Sequence, residues 1–427
     1  MARMGYPVCH LEAIGRAALG PAWRSEEAQV LAIRGGTILT PETEIDNGVI
    51  LIEDGKIYSL GAGLAVPAGC EEIDATGATV IPGLIEPHCH VALFADGIDS
   101  RFYDGNEMTD PVTPHVRALD AIHPEDLAFA DLRAAGITTV NISPGSGNVI
   151  GGQTAIVKTA GCAVDEMVLR APGAMKMALG ENPKRVYGEQ KRCPSTRMGN
   201  AAVMREWLAK AKTYVAKKAR YEEKLIAHQE GKDGAQKPDP FEPDMRLEML
   251  ARVVEGNLPA HIHAHRADDI VTAMRIAEEF ELDLVLIHAT EGYKIAERIA
   301  ARKIPCIPGP ILFSRAKLEL IGLSPDNAGR LAKAGVTVAI QTDEASATKY
   351  LTLNAAVCAR EGLDPGLAFQ AITRTAAEIL RVDDRVGSLE PGKDADLAIL
   401  SAHPLDIVNC RVLRTIIDGK TVYCRDV

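Results

Sequence analysis

Residues Pro259–Ala289 read PAHIHAHRADDIVTAMRIAEEFELDLVLIHA. In PAHIHAH, histidines alternate with small or apolar residues, the period of two that sends side chains to opposite faces of a strand. ADDIVTAMRIAEEFE spaces its apolar residues three and four apart, the helix period. LDLVLIHA returns to a continuous apolar run, as in a strand buried on both faces. Strand, helix and strand in this order form a βα unit, which predicts parallel pairing.

The same rhythm extends in both directions. GITTVNIS, DEMVLRAP, KIPCIPG and GVTVAIQTD read as buried strands, and PEDLAFADLRAAG, EGYKIAERIAARK and PDNAGRLAKAG as helices. The alternation predicts an α/β fold, most simply a (β/α)8 TIM barrel over residues 80–384. A doubly wound sheet is the other candidate, but no G-x-G-x-x-G follows an early strand. Both ends are strand-rich. VLAIRGGTILT, GVILIEDGKIYSLGAG and EEIDATGATVIPG open the chain, and DADLAIL and RTIIDGKTVY close it, with Asp-Gly at hairpin positions. Neither end can build its own core, so 1–79 and 385–427 are expected to pair into one small domain.

One stretch, about 180–256, breaks the rhythm. GENPKRVYGEQKRCPSTRMG reads as a loop, followed by a charged helix from about Ala201 to Glu230, a second loop and a helix from Met245 to Gly256. Such excursions lie where barrels carry lids and substrate contacts.

Composition narrows the function classes. The 427 residues carry a net charge of −11 and only 4% aromatics, which argues against nucleic acid and acidic membrane as partners; the partner expected from the chemistry below is a small-molecule substrate. Nine cysteines, an odd number without C-x-x-C spacing, argue against a disulfide framework and for a reducing compartment. Met1 to Ser25 contains Arg3, His10, Glu12 and Arg16, so no apolar signal core forms, and no later run is long enough to span a bilayer. A cytoplasmic protein, assembled as a homo-oligomer, is expected.

The candidate chemistry lies at strand ends. His88-Cys89-His90 closes TVIPGLIEPHCH, and residues two apart share a strand face. His261, His263 and His265 alternate along a buried strand, where each ring nitrogen needs a partner. His288 ends a third strand and Asp343 a fourth. The C-terminal ends of barrel strands are where such enzymes place their chemistry, and imidazole and carboxylate suit zinc and similar ions. Lys176 closes the apolar APGAMKMALG, where an unpaired ammonium would be costly. Directly after it come Lys184, Arg185, Tyr187 and Arg197, a group suited to an acidic substrate end, or simply a solvated basic loop. PGSGNVIGGQT has no G-K-[ST] and is not a P-loop; its glycines suit a loop close to the site. His115 and His123 read as structural, while His228 and His403 are poorly placed for ligation.

Together these motifs resemble the amidohydrolase superfamily of metal-dependent hydrolases, most closely its imidazolonepropionase-like and prolidase-like branch. The resemblance runs through G-x-I-L-T…I-x-D-G-K-I, V-I-P-G-L-I-E-P-H-C-H and G-S-L-E-P-G-K-D-A-D-L, nearly the whole chain. It implies a (β/α)8 barrel with a composite β-sandwich from both termini, and metal ligands at His88, His90, His263, His288 and Asp343, with His261 the alternative to His263. Prolidase-like members bridge two metals with a carbamylated lysine, and Lys176 stands at the matching place. Imidazolonepropionases carry H-A-D-E where this chain has His263-Ala264-His265-Arg266, so the glutamate of their ring opening is missing.

The expected cofactor is zinc, one or two ions, with manganese or cobalt as substitutes. A divalent ion would acidify water and polarise a carbonyl. Asp343 would move the proton to the leaving nitrogen, and His265 or His261 would face the carbonyl oxygen. Arg185, Arg197, Tyr187 and His261 are the expected substrate contacts. The rival readings are a deaminase of aromatic amine rings and a silent assembly protein of the same fold.

Overall fold

The computed structural model describes residues 30–40, 43–94, 96 and 103–425; the reading of Met1 to Ser25 lies outside them. The two ends pair as expected. One eight-stranded sheet runs in the order Lys420–Cys424, Val412–Ile417, Leu397–Leu400, Thr79–Pro82, Leu31–Leu39, Glu44–Glu53 and Lys56–Ala62, with Glu71–Asp74 beside Leu31–Leu39. All eight strands are linked in one hydrogen-bonded sheet, which joins the two ends in a common strand domain. Register shifts around Gly36 bend Leu31–Leu39, and one face encloses Ile33, Ile50, Ile52, Ile57, Leu397, Ile399 and Ile416. Both Asp-Gly pairs make two-residue hairpins, Glu53 opposite Lys56 and Ile417 opposite Lys420. In each pair both residues have positive φ, Asp54 50° with Gly55 74° and Asp418 49° with Gly419 73°. That combination is the type I′ turn.

The middle of the chain forms two further sheets. In the first, Leu84–Cys89 lies parallel to Ile137–Ile142, followed by Ala155–Lys158 and Val168–Arg170. In the second, Met175–Ala178, Ala260–Ala264, Leu284–His288 and Cys306–Pro308 run parallel, with Ile150–Gln153 antiparallel at one edge. The strands Leu84–Cys89, Ile137–Ile142, Ala260–Ala264 and Leu284–His288 are buried at every residue, as their apolar runs predict.

Eight like-directed strands were the expectation, and the described residues differ from it at two places. GVTVAIQTD, read as a strand ending in Asp343, is irregular apart from an isolated bridge of Val338 to Cys306, and residues 150–158 run antiparallel. The glycine-rich run 144–154, read as a loop, ends in an extended segment, 150–158, that is antiparallel to both neighbours and changes partner at Thr154. Thr154 Oγ1 accepts from Ala174 N at 2.9 Å at this corner. Gly152 has φ +126°, and a Cβ there would lie 2.5 Å from Val116 O. Its glycine therefore permits close approach to the backbone at Val116. On the far side, Gln341 N donates to Pro308 O, Asp343 N to His88 O and His90 N to Glu344 O. The segment ending in Asp343 thus lies between the second sheet and the first.

The excursion is helical, with two corrections to its bounds. Glu181–Glu189 is a helix, not a loop, and the long helix is Arg197–Gln229, starting at the Thr196 cap whose side chain accepts from Gly199 N. Its buried residues, including Ala201, Met204, Leu208, Ala211 and Tyr214, recur at helical spacing and then stop. The half beyond Tyr214 has no buried residue. Met245–Val254 packs against the first half through Tyr214 Oη donating to Glu248 at 2.5 Å.

Candidate metal centre

The strand period sends His88, with Glu86 and His90, to one face of the first strand, and His261, His263 and His265 to one face of theirs. These faces meet. His88 Nε2 lies 3.5 Å and His90 Nε2 3.3 Å from Asp343 Oδ1. The His263, His265 and His288 rings are mutually in contact, with centroids 4.4–4.6 Å apart. Two sets offer one ligand atom per residue within 4.8 Å of one another: His88, His288 and Asp343, and His263, His265 and His288. His288 (φ 71°) and Asp343 (φ 59°) both adopt the left-handed backbone region that most residues avoid. Strain of this kind persists where the surrounding structure fixes a side-chain direction, and it concentrates at functional sites.

The donors fit a divalent ion. Both ring nitrogens of His263 are buried without a hydrogen-bond partner, as are Nδ1 of His88 and Nδ1 of His261. Buried polar atoms without partners are costly, and an ion would satisfy them. His90 Nδ1 donates to Ser143 O and His288 Nδ1 to Gly309 O, each at 2.8 Å. Such bonds fix the tautomer and leave Nε2 free, the outer-shell arrangement of metal-binding histidines. Burial holds His88, His261, His263 and His288 in the neutral, ligating form, with His261 and His288 lowered to about 3. Burial would raise the Asp343 carboxyl, but His288, His88 and His90 outweigh it and hold Asp343 well below the usual carboxylate range.

Lys176 is buried, opposite His261 in register, with Nζ 3.0 Å from His88 Nε2. Burial lowers its ammonium to about 8, with Asp343 opposing. His265 Nδ1 meets Thr290 Oγ1 at 2.7 Å. His261 lies one step earlier on the strand than His263, towards its N-terminal end.

The basic group is dispersed. Arg185 is exposed on the Glu181–Glu189 helix. Arg197 Nε donates to Asp269 at 2.9 Å, so its fork is engaged. Tyr187, expected on the substrate side, is fully buried, and its hydroxyl donates to Asn148 Oδ1 at 2.5 Å.

Two carboxylates join the site without having been foreseen. Glu86 accepts from His88 N at 3.0 Å and from Thr342 N and Oγ1 at 3.0 and 2.8 Å, tying the first strand to the Asp343 segment. Burial raises it to about 8. Its spacing from His88 and His90 was the available signal. Glu319 reaches the histidines from the Leu318–Leu320 turn, which no strand or helix period could have placed.

Histidines at strand ends and the Asp343 carboxylate converge here, several of the ring nitrogens unpartnered, as groups that could hold a divalent ion. The family model for the amidohydrolase family matches residues 79–422, and the chain belongs to that family of metal-dependent hydrolases. An amidohydrolase from Thermotoga maritima MSB8 has a solved structure that superposes with a TM-score of 0.86 at 41% identity, over 92% of this chain and all of that one. The amidohydrolase tasK of Hapsidospora irregularis is 26% identical over 84% of this chain, which spans only 38% of the tasK length. An imidazolonepropionase of Geobacillus sp. is 27% identical over 83% of this chain and 84% of its own.

Proposed function

We propose that this chain hydrolyses an amide, peptide-like or cyclic C–N bond in a small molecule, with His88, His90, His263, His288 and Asp343 holding a divalent ion. The observation that carries the reading is His263, whose two buried nitrogens have no partner in the midst of a histidine and carboxylate cluster. The reading takes the two central sheets as one (β/α)8-type barrel, joined at Thr154 and through the segment ending in Asp343. Zinc suits the donors, in one or two ions, and manganese or cobalt can replace it. The ion supplies acidified water and carbonyl polarisation when bound. Asp343 accepts the water's proton and passes it to the leaving nitrogen. His265, beside His263 and His288, faces the carbonyl oxygen, with His261 behind it. Of the two arginines, Arg185 is left to meet an acidic substrate end, since Arg197 is engaged by Asp269.

A screen of N-acyl amino acids, dipeptides, lactams and lactones with zinc-, manganese- and cobalt-loaded protein tests this reading. Hydrolysis of a C–N bond that stops on chelation is the expected result, and no turnover by any loaded form would remove it. For the best acidic substrate, Arg185→Ala is expected to raise KM about tenfold, the scale of a charge-assisted contact. The matched neutral amide should change little, and equal losses for both would exclude the contact.

Lys176 adds metal number to the proposal. A lysine carbamate offers two oxygens and a negative charge, able to link two cations, and Lys176 Nζ is placed beside His88. Lys176→Ala is expected to lower bound metal, by elemental analysis, from about two ions per chain towards one, as for a two-metal hydrolase site. An unchanged metal content would remove the bridging role.

A further inference from the structure

Glu319 is buried, yet its two carboxylate oxygens are treated differently. Oε2 is anchored. It accepts from the backbone N–H of Glu181 at 2.9 Å and lies 3.9 Å from Arg197 Nη2. Oε1 has no hydrogen-bond partner. It lies 3.7 Å from His265 Nε2 and 4.0 Å from His263 Nε2, both beyond hydrogen-bond length. Lys317 Nζ, whose bond goes to Asn182 Oδ1 at 3.1 Å, stands 3.8 Å from Oε1. One oxygen held by the scaffold and the other unsatisfied, facing the histidines of the reaction site, is the arrangement of a group kept for a ligand.

The surroundings also say what kind of ligand group fits. Oε1 offers lone pairs, so its partner must bring an N–H or O–H. Lys317 and Arg197 already stand beside this carboxylate, so it does not call for a further full positive charge. A neutral donor matches.

We propose that Glu319 is the specificity-determining residue of the hydrolase reading above, accepting a hydrogen bond from an N–H of the substrate. The enzyme then prefers secondary amides and lactams, whose reacting nitrogen keeps a hydrogen, over esters, lactones and N-alkylated amides of the same shape. This supplies from a distant loop a carboxylate that the strand ending His263-Ala264-His265-Arg266 lacks.

The test uses two fragments that bind metal centres whatever the true substrate, acetohydroxamic acid and N-methylacetohydroxamic acid. They differ in one N–H. Calorimetric titration of the zinc-loaded full chain is expected to show a preference of about tenfold or more for the N–H form, the scale of a hydrogen bond to a charged group. Glu319→Ala should reduce that preference to within about twofold, and Glu319→Gln, which keeps the size, should give an intermediate ratio. Bound zinc, measured on the same samples, should be unchanged. A preference that is absent in the wild type or retained in both variants overturns the role of Glu319 while leaving the hydrolase reading intact. Loss of zinc in Glu319→Gln would make the residue a ligand and also overturn it. If neither hydroxamate binds zinc-loaded protein, the metal-hydrolase reading itself fails, and the proposal with it.

Discussion

Replacing Asp343 by Asn is expected to lower kcat by at least about 10²–10⁴-fold, the range for loss of a general base, while the fold survives. Asp343 stands 3.3 Å from His90 Nε2 and 3.5 Å from His88 Nε2, beside the other proposed ligands, as its proposed roles of ligand and proton carrier require. Asn keeps the size and one oxygen but cannot take up the water's proton. The substitution is also gentle on the chain, since Asn and Asp are, after Gly, the residues that best tolerate a φ such as the 59° at this position. Circular dichroism and a melting curve should therefore match the wild type. Near-full turnover of the best substrate by the variant with metal bound would rule out Asp343 as the proton carrier.

The second large effect is on stability. Lys158, on the Ala155–Lys158 strand, donates to Asp394 at 2.7 Å, Asp418 at 2.6 Å and Asp396 at 3.1 Å, all from the C-terminal end of the chain. Lys158→Met would leave Asp396, buried beside the other two carboxylates, without its cation. Asp394 would keep Arg385 and Lys56. Removing one partner of a buried ion pair typically costs about 3–5 kcal/mol. The lower end applies here, because Asp418 is half exposed and Asp396, raised to about 6 chiefly by burial, can take up a proton instead. Urea unfolding of the variant should show the loss. A change under about 1 kcal/mol would mean that the pair is dispensable.

How much of this was legible depended on distance along the chain. The histidines could be read because a strand's period of two assigns faces locally, and His261 and His263 sit within one strand. The hairpins could be read because Asp-Gly is its own turn signal, at Asp54-Gly55 and Asp418-Gly419 alike. The run 144–154 was read as a loop because its glycines suggest one by composition, whereas Gly152 serves close approach to Val116. The burial of Tyr187 and the pairing of Arg197 with Asp269 depend on packing between segments far apart in sequence, which residue type does not report. Glu319 was invisible for the same reason. Glu86 was not, since it shares the face of His88 and His90, and it was overlooked because a carboxylate beneath two proposed ligands resembles neither a ligand nor a core residue.

The continuous terminal sheet has a bearing on how the chain is made. Thr79–Pro82 lies between Leu31–Leu39 and Leu397–Leu400, and the latter comes from near the far end of the sequence. During synthesis the early strands emerge first, and one side of Thr79–Pro82 then waits with unpaired N–H and C=O groups until nearly all of the remaining chain has been translated. Such contacts between distant segments form slowly, and an open edge is a template for joining another chain. The nascent protein is therefore most exposed to edge-to-edge aggregation while its central strands and helices are being completed. A chain cut after Asp384 would keep that vulnerability permanently, even with every proposed metal ligand present.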